Sequence, residues 1–256
     1  MTEYIAKKPD INGVIPFSSQ EHQTWSTLIG RQQQTIQDRA CPEFIEGLKA
    51  LDMPEDRVPT LPEIDEVIQV TGWQVAPVTG TVQVDEFFNM LAQRRFPVAT
   101  FIRIPEELDY LQQPDIFHEL FGHCPLLTNQ AYADFIQWYG EFASSLTKPN
   151  QRILSRLFWF TIEFGLVQTD KGIRVYGGGI LSSHEETIYA VESEQPKRLD
   201  FDLVETLQTP YRYDVIQDRY FVIDSLQSLY DMMDEKRLIA ALNDIRGDQQ
   251  HPFKIC

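Results

Sequence analysis

Apolar residues recur at helical intervals along most of this chain, and short extended runs interrupt them. A polar arm, with Pro9, Gly13 and Pro16, occupies residues 1 to about 20. From Ser18 or Ser19 to Ala40, a serine cap, Glu21 and then Trp25, Leu28, Ile29 and Ile36 predict a helix. PEFIEGLKAL (42–51) and LPEIDEVIQVTG (61–72) predict two more, each with proline in its first turn. WQVAPV (73–78) and TVQV (81–84) read as extended, VDEFFNMLAQRRF (84–96) as helical, and PVATFIRI (97–104) as a strand ending near Arg103. Gly122 and Pro125 are expected to end a helix begun at Asp115. ADFIQWYGEFASSL (133–146) is amphipathic, and SRLFWFTIEFGLV (155–167) is apolar nearly all round, which predicts a buried helix. KGIRVYGGGILSS (171–183) reads as a strand with a glycine turn, SHEETIYAVES (183–193) as a short helix, and residues 223–245 as two helical pieces.

These elements predict a mainly α fold with small β-sheets. The 256 residues show no repeat or long linker, so one domain spanning 1–256, with an irregular arm over 1–20, is expected. A net charge of −16 argues against nucleic acid or an anionic membrane as partner. No apolar stretch approaches the roughly 20 residues of a membrane helix, and the N-terminus lacks the apolar core of a signal peptide. Three separated cysteines, Cys41, Cys124 and Cys256, form no disulfide framework. A cytoplasmic protein is the expectation.

Candidate chemistry enters with HELFGH (118–123). The zinc-peptidase pattern H-E-x-x-H sets its histidines four apart. Here His118 and His123 are five apart, which leaves them roughly 140° apart around an ideal α-helix. A widened or frayed turn at Gly122 would return them to one face. Glu163, inside FWFTIEFG, is the best third ligand, because a carboxylate in such an apolar run needs a cation. An ion pair with Arg152 or Arg156 is the alternative. Two histidines and one carboxylate with open positions suit non-haem Fe(II), whereas structural zinc prefers four protein ligands. YGGGILSS (176–183) lacks the pattern of a phosphate loop, and a tight turn on a strand is its simpler meaning. Arg103 is able to hold a carboxylate bidentately, although a surface ion pair is an arginine's commoner role.

PDIFHELFGHCPLL, then WFTIEFGL, then YGGGILSS together resemble the catalytic domain of the pterin-dependent aromatic amino acid hydroxylases, nearest to the short bacterial phenylalanine 4-hydroxylases. The likeness covers roughly residues 60 to 230. It implies Fe(II) on His118, His123 and Glu163. It implies a tetrahydropterin (tetrahydrobiopterin or a related pterin) lined by Val78, Gly80 and Val82, stacked on Phe87 and reached through water by Glu119. The substrate's carboxylate would lie on Arg103, with Asp115 and Ser182 close to substrate and ligand, and Pro114, Trp159 and Phe164 as walls of the ring pocket. Phe158 stands where many members have tyrosine, and Leu111 and Tyr213 occupy positions that vary with substrate.

The implied activity is hydroxylation of L-phenylalanine to L-tyrosine with dioxygen as co-substrate, as part of phenylalanine catabolism. A tryptophan or tyrosine hydroxylase of the same family and a zinc-dependent hydrolase are the alternatives. The resemblance leaves out the regulatory and tetramerisation segments of animal members, so a monomer or small homo-oligomer is expected.

Overall fold

The computed structural model of the chain describes residues 4–79, 82–109 and 113–246. Helices dominate it, as the spacing predicts. Helix α1 (Ser19–Thr35) starts from a capping box in which Ser18 accepts from the Glu21 backbone and the Glu21 carboxylate accepts from Ser18. Its apolar stripe buries Trp25, Leu28 and Ile29, and the Trp25 indole donates to the Pro54 carbonyl at 2.8 Å. Helices α2 (Pro42–Leu51) and α3 (Leu61–Ile68) each carry the expected first-turn proline. A 3₁₀ turn over Gln69–Thr71 completes the third stretch, and Gly72 closes it at φ 78°.

Two strands follow, β1 (Gln74–Val78) and β2 (Arg95–Ala99), paired in parallel around helix α4 (Val84–Ala92). The helix expected to reach Phe96 therefore stops four residues early. Arg94 turns the chain at φ 54°, held by Asp134, Thr71 and Gln137, so that Arg95 enters β2 opposite Gln74. The strand expected to run to Ile104 ends at Ala99, leaving Arg103 in irregular backbone. Val82 and Gln83, expected to be extended, are a short connection into α4; Thr81 lies outside the described residues.

Helix α5 (Gln130–Ser145) packs along α4. Their approach depends on Gly140, where a Cβ would stand 2.5–2.7 Å from Ala92, Leu91 and Phe88. Helix α6 (Lys148–Phe158) follows, then β3 (Leu166–Thr169) and β4 (Gly172–Val175), a one-turn helix α7 (Gly178–Leu181) and α8 (His184–Glu192). The C-terminal part adds β5 (Lys197–Asp200), α9 (Leu203–Gln208), β6 (Arg219–Ile223), α10 (Ser228–Asp231) and α11 (Glu235–Arg246). The second sheet has order β4-β3-β6-β5, antiparallel at β3–β4 and parallel elsewhere. One apolar core runs through the whole, from Ile15 to Ile245.

The segment predicted as one helix over 155–167 is composite. It is the end of α6, a wide turn, and the first residues of β3. Gly165 makes the change: its carbonyl accepts from the backbone of Tyr176 and Gly177, which draws the chain into the sheet. No helix among the described residues is long and apolar enough to cross a membrane.

A candidate metal centre on two wide helical turns

The helix begun near Asp115 does not end at Gly122. Residues His118–His123 form a π-helix, and Cys124–Thr128 continue it as a 3₁₀ helix with Pro125 in the first turn, where its missing N–H costs nothing. A π-helix has about 4.4 residues per turn, so a spacing of five leaves side chains only roughly 50° apart rather than 140°. His118 and His123 thus share a face through widening of the helix itself. Gly122 serves a different purpose from a break: a Cβ there would lie 2.6 Å from the Gly178 carbonyl oxygen.

The second contributor has the same form. Trp159–Glu163 is also a π-helix, continuing α6. It buries Phe160, Thr161 and Ile162 and turns Phe158, Trp159, Glu163 and Phe164 to the half-buried side. Glu163 meets neither Arg152 nor Arg156 there; Arg156 donates to the Leu207 carbonyl. Its carboxylate oxygens instead lie 3.4 Å from His123 Nε2 and 3.7 Å from His118 Nε2, and the two Nε2 atoms are 3.2 Å apart.

These spacings fit a common cation. Two ligand atoms about 2.1 Å from one ion at right angles are about 3.0 Å apart, and wider angles give more. The protonation states fit as well. Ser182 donates its hydroxyl to the Gly179 carbonyl at 3.3 Å, so it accepts from His118 Nδ1 at 2.8 Å, which leaves His118 Nε2 unprotonated and able to bind a cation. Burial, only partly offset by Glu163, holds the His118 pKa down at about 4, so the imidazole is neutral at pH 7. The Glu163 carboxyl feels burial, which raises its pKa, and His123 and His118, which lower it; the net direction is downward. Two imidazoles and one carboxylate are the donor set of a facial non-haem Fe(II) site. His123 is 1% exposed, whereas the side chains of His118 and Glu163 are 16% and 17% exposed, so the cluster opens on one side only. Among the described residues it is the one group of His, Cys, Asp and Glu side chains with this convergence.

Arg103 and Asp115 brace the first ligand. The guanidinium donates to both Asp115 oxygens, through Nε and Nη2 at 2.9 Å each, and the Arg103 backbone adds a third bond. Asp115 also accepts from the His118 backbone at 3.0 Å. The aspartate is fully buried. Burial alone would raise its pKa, and Arg103 holds it below the usual range. One edge of the guanidinium is therefore committed to Asp115. The Glu119 carboxyl is pushed well above the usual range by burial, then by Glu163 and Asp115.

The remaining predicted site residues lie around this cluster. Phe87 on α4 meets Phe158 edge to face at 5.4 Å. Val78 ends β1 and Val82 precedes α4, both half-buried, while Gly80 and Leu111 lie outside the described residues. Trp159 stacks on Phe164 at 4.4 Å and on Tyr211 at 4.3 Å. Pro114 and Tyr213 are exposed.

The glycine run is no turn on a strand. Gly177, Gly178 and Gly179 open α7, and their φ angles lie outside the left-handed region, so space and not backbone freedom explains them. A Cβ on Gly178 would lie 2.4–2.7 Å from the His123 ring, one on Gly177 2.3 Å from the Glu163 carbonyl, and one on Gly179 3.0 Å from a Glu163 carboxylate oxygen. Gly178→Ala is expected to displace His123 and weaken iron binding by about 10- to 100-fold, read by metal analysis after dialysis. Undiminished iron content would show that the ring has room to yield.

The sequence pattern described as "Biopterin-dependent aromatic amino acid hydroxylase" matches residues 4–242. The phenylalanine-4-hydroxylase of Pseudomonas aeruginosa is 51% identical over 235 residues, covering 91% of this chain and 89% of that one. The apo structure of the cold-active phenylalanine hydroxylase of Colwellia psychrerythraea 34H superposes with a TM-score of 0.93 at 44% identity, over 97% of this chain and 96% of that one. The phenylalanine hydroxylase of Chromobacterium violaceum, solved with iron(III) and the oxidised cofactor 7,8-dihydrobiopterin, gives a TM-score of 0.86 at 44% identity, over 93% and 89%.

Proposed function

The chain belongs to the biopterin-dependent aromatic amino acid hydroxylase family, and from that we propose that it hydroxylates L-phenylalanine to L-tyrosine. The observation that carries the reading is the convergence of His118, His123 and Glu163 on a half-open site walled by aromatic rings. Fe(II) bound there supplies open positions for dioxygen, and tetrahydropterin supplies the two electrons that let one oxygen atom enter the ring while the other leaves on the pterin.

The chain's own residues bind, orient and exclude water. Ser182 fixes the His118 tautomer, and Asp115 fixes the backbone from which His118 projects. Arg103, already clamped by Asp115, binds the substrate carboxylate at little cost in ordering its long side chain. Trp159 and Phe164 form the wall that aims the substrate ring, with Pro114 at its rim. Val78, Gly80, Val82 and Phe87 make the pterin side, which Glu119 reaches through water. Apolar walls keep water from the reacting atoms.

The chain acts as one catalytic domain, supported by its single core. A cytoplasmic enzyme of phenylalanine catabolism, a monomer or small oligomer without a nucleic-acid partner, is in keeping with its buried free Cys41 and Cys124 and its acidic balance. The test is anaerobic loading with Fe(II), followed by tetrahydrobiopterin, oxygen and each aromatic amino acid in turn. Tyrosine from phenylalanine is expected; no hydroxylated product from any of the three would overturn the reading.

A further inference from the structure

Gln217 is buried, at 6% exposure, in the connection between α9 and β6, and no sequence pattern marks it. Its side chain is fully engaged. Oε1 accepts from the Trp159 indole N–H at 3.1 Å, across 58 residues of sequence. Nε2 donates to the carbonyls of Arg212 and Val215 at 2.7 and 2.9 Å. The Gln217 backbone N–H donates to Glu186 Oε1 at 3.1 Å, and the Tyr220 hydroxyl donates to the same oxygen. Glu186 is itself buried, on α8, and Tyr220 is fully buried on β6.

One amide therefore joins three parts of the molecule. The Glu186 carboxylate and Tyr220 anchor the Gln217 backbone to the core. The two carbonyl bonds fold residues 212–217 around it, and that same connection carries Tyr211, which stacks on one face of Trp159. Phe164 covers another part of the indole, and the indole N–H is the group that decides its rotation between the two rings. Stacking alone tolerates sliding in the plane; a buried, directional hydrogen bond does not.

We propose that Gln217 is a positioning residue for the substrate pocket, fixing the in-plane orientation of Trp159 from an anchor made by Glu186 and Tyr220. The inference rests on Trp159 being a wall of the phenylalanine pocket. Gln217 touches neither substrate nor metal ligands; it acts through the indole and, through Arg212 and Val215, on the connection that carries Tyr211.

The test is Gln217→Met, which keeps length and volume but neither accepts from the indole nor donates to the carbonyls, together with Trp159→Phe and the double variant. KM for phenylalanine is expected to rise about fivefold or more in Gln217→Met with kcat changed less, and tyrosine formed per tetrahydropterin oxidised is expected to fall. In the Trp159→Phe background, Gln217→Met should add less than about a twofold change, because no indole N–H remains to hold. An activity-independent readout accompanies this. The Trp159 indole N–H resonance, identified among the four tryptophans by its loss in Trp159→Phe, should move upfield and exchange faster in Gln217→Met. Gln217→Glu, which retains the acceptor but not the donors to Arg212 and Val215, should return the indole resonance toward the parent, and it carries that comparison if the methionine variant does not fold. An unmoved indole resonance, or the same KM increase in both backgrounds, overturns the proposal with the pocket intact. A parent-like KM in Trp159→Phe overturns it through its premise, by removing Trp159 from the pocket.

Discussion

Glu163→Gln is expected to reduce phenylalanine hydroxylation by about a thousandfold or more and iron affinity by about a hundredfold or more. The amide keeps the volume of the side chain but withdraws the one anionic donor facing the two Nε2 atoms. The fold should survive. Without iron, the carboxylate is a partly buried charge that His123 and His118 hold below the usual carboxylate range, so it contributes to stability at neutral pH. Metal-free Glu163→Gln should thus melt at or slightly below the metal-free parent. Adding Fe(II) should raise the parent's melting temperature, by mass action on the folded state, and leave the variant nearly where it was. Melting curves with and without Fe(II), beside metal analysis and turnover, check all three. A variant that binds iron normally and turns over at half the parent rate would remove Glu163 from the ligand set.

Asp115→Ala should produce the largest loss of stability. The Asp115–Arg103 pair is almost wholly removed from water, at 0% and 7% side-chain exposure, and deleting the carboxylate strands the guanidinium. Breaking a buried pair in this way costs about 3–5 kcal/mol, and the His118 backbone N–H loses its acceptor besides. Denaturant titration measures it, and a loss below about 1 kcal/mol would mean that the arginine finds water or another partner. The pH dependence has a definite sign. Arg103 depresses the folded-state pKa of Asp115, so the unfolded chain takes up this proton first on acidification. The contribution is complete above the unfolded value of about 4 and is lost as the pH falls through the lower folded-state value. Asp115→Ala should lack that part of the acid-side fall. Any variant still folded should also show a raised KM for phenylalanine, because Arg103 is no longer held in place.

Helix-rich architecture, the first three helices and the final two were legible because periodicity and caps speak locally. Ser18 and Glu21 signal α1 without reference to anything distant. Element ends were less legible where tertiary pairing decides them. Nothing near Phe96 announces that Arg95 must pair with Gln74, and nothing near Leu166 announces that it must leave a helix to pair with Val222. Strands β5 and β6 and helix α9 carry no strong local pattern, being four to six residues long. The metal cluster was visible from residue types and from the family likeness, and so was the need for a widened or frayed turn to bring His118 and His123 together, but not that Glu163 would sit on a second wide turn. The glycine run was misread for a related reason. Sequence shows that Gly177–Gly179 lack side chains, whereas only the fold shows that His123 and Glu163 occupy the space. Gln217 gave no signal at all, since a buried glutamine is defined by partners that lie far off in the chain.

The two wide turns have a consequence for how this site is encoded. A π-turn is an α-helix carrying one surplus residue, so the cluster depends on chain length as much as on side-chain identity. Loss of a single codon, that of Phe121 for instance, would leave every ligand present and rewrite the segment as H-E-L-G-H, the spacing of a zinc peptidase, on an ordinary helix. Glu163 would then face a histidine pair in the wrong register. In genetic terms this centre is more vulnerable to a three-base deletion than to many substitutions nearby, and reading frames with an intact ligand set can still encode a protein unable to assemble it.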